Sequence, residues 1–410
     1  MSRILLEGGC VLSLERKVGN FRRADVLIED DVVSEIGENL RARDAEIIDA
    51  SDTIVMPGFV DTHRHLWESL FRGRGNTAKV AGSDYTADDV YAATLVGLLG
   101  AAEAGITTVV DWAEVPFGEH IQAALQAHSD AGLRTVFVHA SSDWHAGARS
   151  GEGGAVAPLT TFAAGPAKPD EWSLARELGM RIHAHAGTGT EQPGIDVMAS
   201  MLGEDVTLVH CCDFDASELD SVASSGAHIV LTPSSEMAAG LQPLQIQKLV
   251  DRGIRPGLGV DTERMAPGDM FAQMRAAISL QHATLFDLKL AGKAGVPKLL
   301  STRDVIRYAT IDGAGAVGLG TETGSLAPGK QADVVVLRAD TPNIYPVNDA
   351  IGAVVWGMDT SNVDWVFVAG RPVMRNGILD ADLDRARGLA AAAQRRVAPA
   401  LVETGAGGLG

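Results

Sequence analysis

The sequence predicts an α/β protein: a parallel (β/α)8 TIM-type barrel carrying a discontinuous β-domain formed by both termini. Three observations predict it. Short apolar, β-rich runs alternate with helical stretches from about residue 58 to residue 320, and eight such runs can be read. Strand-rich segments flank that region on both sides. The length, 410 residues, allows two or three domains at about 150 residues each. Alternation of strand and helix implies parallel strands joined by crossovers, and eight of them imply a closed barrel.

The elements follow in order. Before Pro57–Gly58, strands are expected at Ile4–Leu6, Val11–Leu14, Ala24–Glu29, Val32–Ile36 and Glu46–Asp49, with Asp30–Asp31 as a hairpin turn. Barrel strands are expected at Gly58–Thr62, Thr107–Asp111, Arg134–His139, Thr161–Ala164, Arg181–His185, Thr207–His210, His228–Thr232 and Arg255–Gly259. Helices fall at Ala87–Ala104, Glu119–Ala131, Pro169–Leu178, Ile195–Leu202, Ala216–Ser224 and Leu244–Asp251. The stretch between His139 and Thr161 is short and rich in Gly, Ser and Ala, which predicts a loop in place of the third barrel helix. After a helix at Thr302–Ala309, strands return at Ala332–Leu337, Ala353–Trp356, Val363–Val368 and Arg371–Met374. A helix over 381–396 and a Gly-rich tail end the chain. The expected partition is 1–57 and 321–380 for the two parts of the β-domain, 58–320 for the barrel and 381–410 for the terminal helix and tail.

Composition narrows the function. With 34 basic and 53 acidic residues the net charge is −19, which argues against a nucleic acid polymer or an anionic membrane as partner. The three cysteines, Cys10, Cys211 and Cys212, make no disulfide framework and fit a reducing cytoplasm. Glu7 interrupts the first apolar run, so no signal peptide is expected, and no stretch of about 18 residues is apolar enough to span a bilayer.

Reactive groups in such barrels sit at the C-terminal ends of the strands. The first strand ends in Asp61-Thr62-His63-Arg64-His65, and a spacing of two places His63 and His65 on one side of an extended segment. The fifth gives His183-Ala184-His185, the sixth ends in His210, and the eighth leads to Asp261. Of 11 histidines in the chain, five thus fall at the ends of three strands, with an acid at a fourth, and this coincidence points to a metal site. Trp67, Trp112 and Trp144 each follow one of the first three strands and suggest a flat apolar pocket for an aromatic or heterocyclic ring. Asp143 and His145 flank Trp144, and Arg72 and Arg74 are placed to meet an anionic substituent. Gly313-Ala314-Gly315-Ala316-Val317-Gly318 matches the dinucleotide fingerprint but follows a predicted helix, not a strand, and is discounted.

These segments, taken together, resemble the amidohydrolase superfamily, in particular its cytosine deaminase, guanine deaminase and triazine hydrolase (chlorohydrolase-like) branch. The resemblance is carried by Met56-Pro57-Gly58-Phe59-Val60-Asp61-Thr62-His63-Arg64-His65, Gly105-Ile106-Thr107-Thr108-Val109-Val110-Asp111, His183-Ala184-His185 and Leu208-Val209-His210. Thr232-Pro233-Ser234-Ser235, Gly259-Val260-Asp261 and Gly324-Ser325-Leu326-Ala327-Pro328-Gly329-Lys330-Gln331-Ala332-Asp333 complete it, in the family's order.

The resemblance implies a β-sandwich for the terminal domain. It also implies one divalent metal, zinc favoured over iron, held by His63, His65 and His185, with Asp261 as a weaker ligand and general base. His210 would contact the nucleophilic water or the tetrahedral oxygen, and His183 would be structural. The fourth strand, Thr161-Phe162-Ala163-Ala164-Gly165, lacks the bridging lysine of two-metal relatives, and Lys168 lies beyond it.

One departure stands out. Deaminases of the family carry a glutamate three residues after the fifth-strand metal histidine, where this chain has Thr188. A hydroxyl can hydrogen-bond but is no acid near neutrality. Glu191, Glu236 or Glu114 could supply the missing carboxyl, and Glu236 stands where relatives usually carry an amide. The expectation is a mononuclear metal-dependent hydrolase acting on a non-peptide C–N bond of a small cyclic compound, by deamination, amide cleavage or amine or halide displacement. Thr188, Glu236, Arg72 and the three tryptophans would contact the substrate. Relatives' habits imply a homodimer or homotetramer. The alternative is a catalytically silent relative kept for binding or assembly.

Overall fold

The computed structural model describes residues 2–75, 78–79, 81–116, 118–140, 158–166, 168–188, 199–241, 246–400 and 402–403. Eight parallel strands form the barrel: Phe59–Arg64, Ile106–Ala113, Arg134–His139, Thr160–Ala164, Arg181–Ala186, Val206–His210, His228–Leu231 and Gly257–Leu258. They pair in chain order. The first three are buried along their whole length, as strands covered on both faces must be, which is why they read as continuous runs instead of alternating ones.

Closure occurs at the site predicted to be reactive. The Asp261 N–H donates to the His63 carbonyl (2.8 Å), and the His65 N–H donates to the Asp261 carbonyl (2.7 Å). Gly259 permits this approach: a Cβ there would stand 2.8 Å from both the N and the O of His63.

Helices Ala87–Glu103, Glu119–Ala131, Pro169–Glu177, Ala216–Ser225 and Ile246–Val250 follow the expected pattern. The first begins at Thr86, whose side chain accepts from the Asp89 N–H in a capping box. Of the expected Ile195–Leu202 helix, only a 3-10 turn at Ala199–Met201 lies within the described residues. Most of the segment from His139 to Thr161 lies outside them.

Helices Met270–Leu290 and Ile311–Ala316 were not anticipated, nor were the short Pro233–Ala238 and Ala350–Gly352. The long one buries Phe271, Met274 and Ile278 but exposes Phe286 and Leu290, which blurs its helical periodicity. Helix Ile311–Ala316 carries most of the glycine fingerprint and follows helix Thr302–Tyr308, so the strand-first context of a dinucleotide site is missing.

Both termini contribute to one nine-stranded sheet. Its seam is the antiparallel pairing of Thr53–Pro57 with Val334–Arg338. Arg3–Leu12 is a single bulged strand where two short ones were expected. The expected strand at Ala353–Trp356 is instead a π-helical turn, Ala353–Gly357. Its Ala353, Val354 and Val355 are all buried, and a short run buried on every side carries no periodicity to separate strand from helix. Leu6, Val26, Ile28, Val55, Val334 and Phe367 form the core of this domain. Helix Leu383–Val397 returns to the barrel, where Ala393 and Val397 join Trp67, Leu70, Phe71 and Tyr85 in a common core. The terminal helix therefore backs the segment that follows the first barrel strand. Among the described residues no helix is long and apolar enough to cross a membrane.

Candidate active site

The strand ends bring four of the predicted groups to one point. His63 Nε2 lies 3.2 Å from His65 Nε2 and 3.1 Å from His185 Nε2. Asp261 Oδ1 lies 3.6 Å from His63 Nε2 and 3.4 Å from His65 Nε2. His210 shares a cluster with His63 and Asp261, their ligand atoms lying within 4.8 Å of one another. His210 (φ 77) and Asp261 (φ 67) both hold left-handed backbone conformations, which cost about 1–3 kcal/mol each for such residues and persist where surrounding structure imposes them.

The spacing can be tested against a metal. Donors about 2.0–2.1 Å from a tetrahedral ion stand about 3.3–3.4 Å from one another, and four of the six separations among these donors, at 3.1–3.6 Å, bracket that edge. The donor chemistry agrees. Burial pushes the His63 imidazole down to about 4, against the opposing pull of Asp261. Burial, with the neighbouring His63 and His210, holds His185 well below its ordinary value. Burial alone would raise the Asp261 carboxyl, but the His63 hydrogen bond and the charges of His210 and His65 hold it below the usual carboxylate range. The His63 and His185 imidazoles, held neutral, and an ionised Asp261 carboxylate are what a divalent cation takes. These residues could hold one. His183 is fully buried, outside the cluster, and burial together with Arg181 pushes it down to about 3. Lys168 is exposed at the start of helix Pro169–Glu177.

Around the cluster opens a cleft of about 560 Å³, within the range of small-molecule sites. Trp67 and Thr188 line it, as expected. Trp67 stands edge-on to Tyr85, at 5.7 Å between ring centroids. Glu114 lines it too, its side chain 48% exposed and Oε2 3.9 Å from His65 Nδ1.

Three expectations need correction. Trp112 does not line the cleft; it packs behind the cluster, 4.2 Å from the His185 ring centroid and 5.6 Å from that of His63, because it points inward from the second strand. Arg72 is engaged elsewhere, donating to Glu263 (2.8 Å) and to the Val96 carbonyl (3.0 Å). Glu236 does not face the substrate space. It is 2% exposed and accepts from His210 Nδ1 at 3.1 Å and from the Thr232 N–H at 2.9 Å. Trp144, Asp143, His145 and Glu191 lie outside the described residues.

The structure also adds residues that sequence reasoning missed. Arg264 Nε and Thr262 Oγ1 both donate to Glu68 Oε2, forming one wall of the cleft. Beneath the histidines, fully buried Arg64 pairs with Asp61 (3.1 Å) and Glu263 (3.0 Å). Asp61 in turn accepts from the backbone N–H of Val260 (3.0 Å) and His63 (3.4 Å), tying strand eight to strand one. No local signal marks the pairs of Glu68 with Arg264, Arg64 with Glu263 and Asp61 with Val260, since those partners sit at opposite ends of the barrel sequence.

A parallel barrel with neutral imidazoles and a carboxylate gathered at its C-terminal strand ends defines a metal-dependent hydrolase. Residues 54–373 match the amidohydrolase family, and the chain belongs to it. It is 28% identical to a 5'-deoxyadenosine deaminase of Methanothermobacter thermautotrophicus, over 92% of this chain and 94% of that one. Among solved structures it is similar to an adenosine deaminase from Xanthomonas campestris with bound zinc, with TM-score 0.83 and 20% identity over 97% of this chain and 99% of that one. It is also similar to an atrazine chlorohydrolase from Arthrobacter aurescens complexed with zinc, with TM-score 0.83 and 20% identity over 95% and 100% of the two chains. The protein is thus a hydrolase of C–N bonds in small molecules, and nothing in its site or relatives favours a silent assembly protein.

Proposed function

We propose that the chain holds one zinc ion through His63, His65 and His185, with Asp261 beside it, and hydrolyses the exocyclic amine of a small aminated heteroaromatic compound of the adenosine type. The single observation that carries this reading is the convergence of three Nε2 atoms and one carboxylate oxygen at 3.1–3.6 Å. The substrate class leans on the deoxyadenosine deaminase, which aligns along 92% of this chain.

When bound, the cation lowers the pKa of a water towards about 7 and so supplies a nucleophile at neutral pH. Asp261, ionised and beside the imidazoles, accepts the proton released as water attacks and hands it to the departing amine. His210, at the edge of the cluster, accepts a hydrogen bond from the attacking water and orients it. Trp67 and the Glu68–Arg264 wall bound the space in which the ring is held. Thr188 favours a second reading, displacement of a halide or larger amine, because the position lacks the glutamate that protonates a ring nitrogen. We also place the enzyme in a reducing cytoplasm, consistent with three cysteines none of which forms a disulfide, and as a homodimer or homotetramer.

The test is metal analysis joined to turnover. Protein grown with metals supplied should carry close to one zinc per chain and release ammonia from adenosine-like or aminotriazine compounds, while His65→Ala should lose both. Less than about a tenth of an equivalent of any divalent metal in the wild type, a ratio far below what a structured three-histidine site retains, sinks the reading. Chloride release without ammonia release would select displacement.

A further inference from the structure

We propose that Glu236 is a positioning residue that fixes the tautomer of His210, holding the ring proton on Nδ1 and leaving only Nε2 for the reacting groups. The inference rests on the hydrolase reading above. It starts from a residue that does not fit the role first expected of it. A glutamate where relatives of this branch carry an amide would ordinarily be read as a cleft-facing acid, yet this carboxylate is buried and turned to the back of His210.

Its placement is over-determined. Glu236 sits on the first turn of helix Pro233–Ala238, and its Oε1 reaches back to the Thr232 N–H at 2.9 Å. That bond anchors the carboxylate so that the same oxygen meets His210 Nδ1 at 3.1 Å. Thr232 Oγ1 closes the triangle, 3.3 Å from Oε1 and 3.2 Å from Nδ1. On the other side, the His210 ring stacks on His185 at 5.3 Å and 12° between planes. The imidazole is therefore gripped on an edge and a face.

A carboxyl oxygen that already receives the Thr232 N–H can only accept, so Nδ1 is the donor, and in the neutral ring Nε2 carries the lone pair. A glutamine amide here would keep its oxygen on the Thr232 N–H, since turned the other way its NH2 would face that donor, and so would still accept from Nδ1 but without charge. A carboxylate makes the same bond a charge-assisted one. It also supplies a negative charge behind the ring, the arrangement by which buried carboxylates elsewhere orient catalytic or metal-bound imidazoles.

The experiment uses Glu236→Leu, which removes the acceptor, in the zinc-loaded enzyme, with three readouts: kcat and KM on the best amine substrate, zinc per chain, and the ring ¹⁵N spectrum of histidine-labelled protein, with the His210 signal identified by its loss in His210→Asn. The expected result is a fall in kcat of about 10–100-fold, the size typical of losing such an orienting partner, with KM within about twofold and zinc content unchanged. The wild-type His210 signal should report a protonated Nδ1, and the variant should show that signature lost or mixed. A Leu variant with kcat within about twofold of wild type overturns the proposal, since a positional effect of this kind is expected to exceed that. So does a wild-type ring with unprotonated Nδ1, or a loss of zinc in step with kcat, which would make Glu236 a support of the metal cluster instead. If the wild type turns over no substrate, the hydrolase reading fails, and the ring spectrum still decides the tautomer.

Discussion

Replacing Arg64 by methionine removes the cation between two buried carboxylates while keeping a side chain of similar reach. Arg64 is fully buried, 3.1 Å from Asp61 and 3.0 Å from Glu263, and its Nη1 also donates to the Gly268 carbonyl at 3.3 Å. Burial already pushes the Asp61 carboxyl up to about 6, with Arg64 as the largest opposing influence. Without the guanidinium, Asp61 must either take up a proton or remain charged with no partner. Breaking a buried pair in this way costs about 3–5 kcal/mol. Glu263 retains Arg72 and Ser69 as partners, which places the expected loss near the middle of that range, about 4 kcal/mol. With an unfolding entropy of about 2.1 cal/mol/K per residue over 410 residues, Tm should fall by about 5 °C. Scanning calorimetry of the metal-free protein at pH 8 measures it. Because Asp61 fastens the His63 and Val260 backbones, zinc affinity should fall as well. Arg64→Met/Asp61→Asn should recover part of the loss, since it removes the stranded charge. A single variant that melts within about 1 °C of wild type, a shift small against the expected entropy-scaled value, would refute the reasoning, as would a double variant less stable than the single one.

Other outcomes follow from the same geometry. His139, stacked on Phe162 at 5.5 Å, is pushed by burial from 6.5 down to about 4. The unfolded chain therefore takes up a proton there before the folded one does, and stability is lost as pH falls from about 6.5 to about 4, by up to about 3 kcal/mol. His139→Phe should flatten that part of the urea-denaturation profile, and an unchanged slope would show that His139 does not contribute. Glu114→Gln should lower kcat at least tenfold with zinc retained if its carboxyl, half-exposed in the cleft beside His65, reaches the substrate; steady-state kinetics with full activity would assign the proton transfer elsewhere. Thr188→Glu, which places a carboxyl in the cleft at the family's position, should raise ammonia release from aminated rings, and no gain would argue against ring-nitrogen protonation from that strand.

Some features were legible because their cause is local. The spacing of His63 and His65 follows from the two-residue period of a strand, and the alternation that predicts the barrel follows from crossovers joining parallel strands. The β-domain from both ends was legible for the same reason, although the apolar run at Ala353–Gly357 misled, since burial of Ala353, Val354 and Val355 together leaves too short a run to show a period. The side-chain partners of the site were much less legible. Arg72 looked like an anion contact because a lone arginine in a loop shows nothing of Glu263, which reaches it only when strand eight closes on strand one. Trp112 looked like a mouth residue because strand position is local, while the inward turn of its ring onto His185 is not.

The chain's own pattern was enough to establish a barrel with histidines and an acid at its strand ends, and hence metal-assisted hydrolysis, because each of those features needs only a few neighbouring residues to specify it. Tertiary structure alone decided how those ends meet. Gly259 lets the eighth strand approach His63, that approach sets Asp261 against His63 and His65, and the turn after the seventh strand aims Glu236 at His210 and away from the cleft. The first two contacts join residues from opposite ends of the barrel and the third joins neighbouring strands, so their geometry exists only once the strands have paired and closed.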